Sequence, residues 1–209
     1  MLVTNIIGMV TAKSRATRQR LVESALALFE AHGYSATTVD DIAAQAGVSA
    51  MTYFRYFPTK EAVVLEDHFD PIIAESVANQ PATLPPLARV ARGLREALMH
   101  LEESDDSEVR RRIAIAASEP ALRSGMHQNT RETEDAIVAA LTRHGTPEFT
   151  ARIAAAACLG AITASLLTWA SSTAAQSLRD AVIAALDIVT AAESSAPGSE
   201  PAATTGGMQ

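Results

Sequence analysis

The stretch TVDDIAAQAGVSAMTYFRYFPTKEAVV, from Thr38 to Val64, decides how the chain is read. Thr38 stands three residues before Asp41, a capping-box spacing that starts a helix by satisfying its free N–H groups. Ile42 and Ala43 continue that helix, and Gly47 stops it. Ser49 opens a second short helix, which Pro58 ends. Two short helices joined at Ala46-Gly47-Val48-Ser49, with glycine at the sharp turn, form a helix-turn-helix unit. In such a unit the first helix braces across the DNA backbone, and the leading residues of the second meet base edges in the major groove. The spacing alone also fits an ordinary helical hairpin. Four neighbours favour DNA: the capped first helix, the aromatic block after the turn, Lys60 at the next helix start, and Arg15, Arg18 and Arg20 upstream.

Charge supports the same division of labour. The 209 residues carry a net charge of −7, yet residues 1–60 hold six basic against four acidic side chains, and the remainder eleven against twenty. Only the N-terminal end suits a polyanion. Aromatic residues follow the same split, with Phe29, Tyr34, Tyr53, Phe54, Tyr56 and Phe57 ahead of residue 60 and only Phe69, Phe149 and Trp169 behind it. A small head needs bulky side chains to build a core from few residues, and Phe29, Tyr34, Phe54 and Phe57 are expected there. The longer remainder packs on Ala, Leu, Ile and Val. The single cysteine, Cys158, excludes an intrachain disulfide framework and a multi-thiolate zinc cage. It fits a reducing, cytoplasmic setting, and its place among alanines predicts an inert buried side chain.

Outward from the motif, the pattern predicts an all-α chain of about nine helices. Residues 1–13 read as a flexible leader, without the basic segment and cleavage site of a signal peptide. Leu21, Ala25, Leu28 and Phe29 recur at helical steps from Ser14 until Gly33. One helix is expected from Lys60 to about Val77, with Phe69 facing inward. Pro81, Pro85 and Pro86 mark a loop. Helices then follow over 87–102, 110–118, 120–145, 147–171 and 176–193. The segment from Ser194 to Gln209, rich in Ser, Pro, Gly and Ala, predicts a disordered tail. The division is therefore a leader (1–13), a helix-turn-helix head (14–60), a body (61–193) and a tail (194–209).

Other chemistries find little footing. No glycine-rich phosphate loop or nucleophile elbow appears, so no catalytic residues are assigned and no cofactor is implied. The five histidines share no metal spacing, so no metal site is assigned. The uncharged run from Ile153 to Leu178 is long enough to cross a membrane, but Ser and Thr interrupt it and no Lys or Arg cluster flanks it. Ala156, Gly160 and Ala164 lie four apart on a face without bulk, which suits a subunit interface better. Arg110, Arg111 and Arg112 are expected to pair with the acids nearby.

The segment ATRQRLVESALALFEAHGYSATTVDDIAAQAGVSAMTYFRYFPTKEAVV resembles the tetracycline-repressor (TetR) family of bacterial regulators. Gly33-Tyr34, Thr37-Thr38, Ile42-Ala43, Ala46-Gly47-Val48-Ser49, Thr52, Tyr56-Phe57 and Lys60-Glu61 carry the resemblance. It implies a homodimer whose N-terminal heads bind a double-stranded operator and whose body holds a small effector. FRYFPTKEAVVLEDH, RRRIAIAASEPALR and the run from Thr142 to a helix bearing Trp169 are also similar to the mycofactocin-regulator subgroup, which implies an acyl-CoA-like effector.

By position, the resemblance assigns phosphate contacts to Thr38, Ser49, Tyr56 and Lys60, and base edges to Ala50, Met51, Thr52 and Tyr53. Arg15 and Arg18 would add phosphate neutralisation. Many members carry tyrosine where this chain has Phe54, so a hydroxyl contact is lost there or moved to Tyr53. Ala50 and Met51 lack hydrogen-bonding side chains, which predicts modest base specificity resting on methyl contacts and DNA shape. Phe69, Arg112 and Trp169 are expected at the effector pocket, and Ala156, Gly160 and Ala164 at the dimer interface. The resulting expectation is a ligand-responsive repressor that is not an enzyme. The alternative is a helical protein-binding adaptor that does not touch DNA.

Overall fold

The computed structural model describes residues 2–65, 70–100, 106–173 and 175–194. These form ten helices and no strand: α1 Leu2–His32, α2 Val39–Gln45, α3 Ala50–Tyr56, α4 Ala62–Leu65, α5 Asp70–Ala78, α6 Pro86–His100, α7 Asp106–Ser118, α8 Pro120–Arg143, α9 Glu148–Ser171 and α10 Leu178–Ser194. The helix expected from Lys60 to Val77 is described in two stretches, α4 and α5, and residues 66–69 between them lie outside the described residues. At the N-terminus, α1 begins at Leu2 instead of Ser14. Gly8 is the one residue between Leu2 and Lys13 that strongly disfavours a helix interior, and a single glycine costs only about 1 kcal/mol there. The expected tail from 195 onward lies outside the described residues.

Two separate cores follow the two packing styles. The head core gathers Leu21, Val22, Ala25, Leu26 and Phe29 of α1, Ile42 and Ala43 of α2, and Tyr53 and Phe57 around α3. Each large side chain sealed here contributes roughly 1.5–3 kcal/mol by leaving water. Val63 and Val64 of α4 close one side, and Ile115, Ala116 and Leu122 from α7 and the start of α8 join the same cluster. The head is thus not closed by its own residues. Helix α7 belongs to both units.

The body core consists of Val90, Ala91, Leu94 and Leu98 on α6, Ile137, Val138 and Leu141 on α8, Ala151, Ala154, Ala155, Cys158 and Leu159 on α9, and Val182 and Leu186 on α10. Alanines on the inner face of α9 let its neighbours approach closely, and Cys158 is buried among them as expected. At the α5–α6 crossing the approach is closer still. A Cβ on Gly93 would lie 2.6 Å from the Val77 Cα. Helix α9 is long and apolar enough by length and composition to cross a membrane; here one of its faces packs against α6, α8 and α10.

Candidate nucleic-acid interface

The second and third helices are both capped by the residues the sequence singles out. Thr38 caps α2, its hydroxyl accepting from the Asp41 N–H at 3.2 Å while the Asp41 carboxylate accepts from the Thr38 N–H at 2.9 Å. That carboxylate also accepts from the Thr38 hydroxyl at 2.6 Å. These bonds from Thr38, its side chain first, hold the Asp41 carboxyl below its ordinary range. The hydroxyl proton is therefore already engaged, and Thr38 is a cap before it is anything else. Ser49 caps α3 by accepting from the Thr52 N–H at 3.2 Å. Between the caps, Gly47 takes φ +68°, the left-handed region where a side chain is strained.

Capping fixes the phase of α3, and phase decides which side chains face out. Met51 is 83% exposed and Phe54 52% exposed, whereas Tyr53 and Phe57 are fully buried. Ala50 and Thr52 are half-buried, and Arg55 is exposed. This corrects two expectations. Tyr53 does not reach the outer face: its ring packs against Phe57 at 5.6 Å, and its hydroxyl donates to the Thr59 carbonyl at 3.2 Å. Phe54, expected in the core, takes the outward place beside Met51. The signal was available, because Tyr53 and Phe57 are four residues apart and share a helix face.

The flanking cations are less free than expected. Lys60 Nζ donates to the carbonyls of Tyr34 and Thr37, both at 3.0 Å, and lies 4.1 Å from the Tyr34 ring centroid. It ties the turn after α1 to the chain after α3. Arg18 is half-buried, with its guanidinium 4.9 Å from the Phe57 ring centroid. Arg15 is exposed on α1. Tyr56 is half-buried beside α1, where the Ser14 side chain lowers its phenol below the ordinary value. Behind the turn, the Tyr34 hydroxyl donates to Glu61 at 2.7 Å. Burial first, then that bond, raises the Tyr34 phenol, and the same bond lowers the Glu61 carboxyl.

With this geometry in hand, residues 21–66 match the family described as bacterial regulatory proteins of the tetR family, and residues 84–194 match the MftR C-terminal domain. The chain belongs to the TetR family. This TetR-family transcriptional regulator is not an enzyme. It is 29% identical over 179 residues to MftR of Mycobacterium tuberculosis (strain ATCC 25618 / H37Rv), named as a mycofactocin biosynthesis transcriptional regulator, with 83% of this chain and 89% of that protein covered. Its fold is similar to SmeT, the repressor of the Stenotrophomonas maltophilia multidrug efflux pump SmeDEF. The TM-score is 0.57 at 22% identity, over 86% of this chain and 91% of that one. It is also similar to FadR of Bacillus subtilis in complex with stearoyl-CoA, with TM-score 0.51 and 18% identity over 82% of this chain and 96% of that one.

Phe69, Arg112 and Trp169 are the residues expected around an effector. Phe69 lies outside the described residues. Arg112 pairs with Glu108 one turn earlier at 3.1 Å, as its neighbouring acids predict. Trp169 is buried; its Nε1 donates to the Gln176 carbonyl at 2.8 Å, and its ring lies 4.1 Å from the Arg110 guanidinium. That guanidinium also donates to the carbonyls of Trp169 and Ser172 at the end of α9. Trp169 is thus a packed helix end, and neither it nor Arg112 lines the cleft of about 420 Å³ between α8 and α9 or the cleft of about 330 Å³ between α1 and α7. Ala156, Gly160 and Ala164 are exposed along α9, in line with Ile153 and Leu167.

Proposed function

We propose that the regulator is a repressor that binds a roughly palindromic operator as a homodimer and lets go when an apolar acyl-type effector enters its body. One observation carries the DNA reading. The outward face of α3 exposes two large apolar side chains, Met51 and Phe54, while Tyr53 and Phe57 seal the inward face. Thymine methyl groups are the apolar feature of the major groove. Met51, Phe54, Ala50 and Thr52 would read base edges, and Ser49, Tyr56, Arg15 and Arg18 would meet phosphates. Lys60 serves the head first; its phosphate contact would add to that.

The dimer reading rests on α9 and α10. Ile153, Ala156, Gly160, Ala164 and Leu167 form an exposed low-bulk stripe on α9, and Ala184, Ile188 and Ala191 a second on α10. A Cβ at Gly160 would meet nothing within 4 Å, so another helix can come close. The acyl character of the effector is supported by the aliphatic body core and by the stearoyl-CoA held by a transcriptional regulator of similar fold. A cytoplasmic location follows from action on DNA.

Selection from a pool of randomised duplexes tests the reading. The full chain should enrich inverted repeats, and Met51→Asp should abolish enrichment without unfolding the head. Failure to enrich any sequence, with binding that ignores salt, would leave the protein-binding adaptor as the better account.

A further inference from the structure

Arg89, in the first turns of α6, is 2% exposed and among the largest fully buried side chains of the chain. Among the described residues its side chain has one polar partner, the Thr146 hydroxyl, reached by Nη1 at 3.3 Å across to the α8–α9 turn. Nε and Nη2 are buried and make no hydrogen bond to any of the described residues. A guanidinium keeps its charge inside a protein, so burial cannot be relieved by losing a proton. Buried charges are otherwise found paired, because an uncompensated one is strongly unfavourable. Among the described residues no carboxylate answers this one.

The two orphaned atoms lie on one edge of the guanidinium, and the same protein shows what that edge binds. In Arg111, Nε and Nη2 hold the two oxygens of Glu30 at 2.7 and 2.9 Å. In Arg89 the same edge meets no carboxylate of the described residues. The next two residues in sequence, Val90 and Ala91, are fully buried in the aliphatic body core, and Leu87 packs against the same core with Leu141 and Ala151.

We propose that Arg89 is the seat of a ligand carboxylate, and that the body takes a free apolar carboxylic acid. One guanidinium edge matches one carboxylate in charge and in geometry. A coenzyme A thioester brings several phosphate charges and no carboxylate at the acyl end, and it fits this enclosed single cation poorly. The inference rests on the reading that the body holds an effector, and it names the chemical class.

Calorimetric titration of the full chain with dodecanoate, dodecan-1-ol and dodecanoyl-CoA tests it. The wild type should bind dodecanoate more tightly than the alcohol by about tenfold or more. Arg89→Met should erase that preference while folding at least as stably as the wild type, because it removes an unpaired buried charge at similar volume. Arg89→Lys, which keeps the charge without the fork, should retain only part of it. Equal affinity for acid and alcohol in the wild type, a preference unchanged in Arg89→Met, or binding of dodecanoyl-CoA alone would each overturn the assignment. DNA binding by the ligand-free wild type, measured alongside, reports separately on the regulator reading.

Discussion

Arg111 on α7 grips Glu30 on α1 through two parallel bonds of 2.7 and 2.9 Å, while its Nη1 reaches Glu23 at 2.7 Å. The neighbouring Arg110 holds the far end of α9 through Trp169 and Ser172. Two consecutive arginines on one helix therefore join head and body, and Ile115 and Ala116 of the same helix enter the head core. A shift of α7 in the body would be passed to α1 through charge-assisted bonds as well as apolar packing.

Glu30→Gln should lower stability by only about 0.5–1 kcal/mol, because the Glu30 side chain is nearly half exposed and solvent screens the pair. Urea unfolding should show an earlier midpoint with an unchanged slope. A loss of several kcal/mol would mean that the fork is far better insulated than its exposure indicates.

Lys60 predicts a double effect. Lys60→Met removes both carbonyl bonds and the contact with the Tyr34 ring, and should destabilise the chain by about 1–3 kcal/mol. If Lys60 also meets a phosphate, the slope of log affinity against log salt should become shallower by about one. A normal melting temperature together with a shallower slope would make it a phosphate contact alone.

Acidity should act on the head through Glu61 and Asp41. Both carboxyls are lowered in the folded chain, Glu61 first by the Tyr34 hydroxyl and Asp41 first by the Thr38 side chain. Their contribution is complete above the ordinary carboxylate value of about 4 and is lost as pH falls through the lower folded values. Tyr34 has the opposite sign in alkali: its phenol is raised, so the unfolded chain releases the proton first and stability falls as pH rises above about 10. Tyr34→Phe should flatten both limbs of a melting-temperature profile, leaving the Asp41 share of the acid limb. Equally steep limbs in that variant would contradict the assignment.

The exposed stripes on α9 and α10 should mediate self-association. Ile153→Lys combined with Ile188→Lys places charge on both stripes without touching the core, since both side chains are mostly exposed. Sedimentation should show a monomer that keeps its helical signal, and binding to an inverted-repeat duplex should weaken sharply. A dimer that survives both changes would place the interface elsewhere.

The head was legible in sequence because its signals are local. Thr38 with Asp41, Gly47 and Ser49 act within three or four residues, and each does what its spacing predicts. The Tyr53–Phe54 exchange is hard to see in sequence because an aromatic block gives hydrophobicity without phase; the buried partner Phe57, four residues on, sets the face. The body was less legible because its determinants are distant in sequence. Arg111 finds Glu23 and Glu30 more than eighty residues away, and Arg89 looks like an ordinary surface cation until α6 folds it inward. Gly93 gives no sequence sign of its role, which appears only when Val77 of α5 crosses it.

The central claim is that two copies of α3 enter successive major grooves on one face of a duplex. Hydroxyl-radical footprinting on a selected inverted repeat tests it most directly. The account predicts two protected patches about 34–36 Å apart, one helical turn or a multiple of it, both lost in Met51→Asp. A single patch, or protection that persists in that variant, would contradict it.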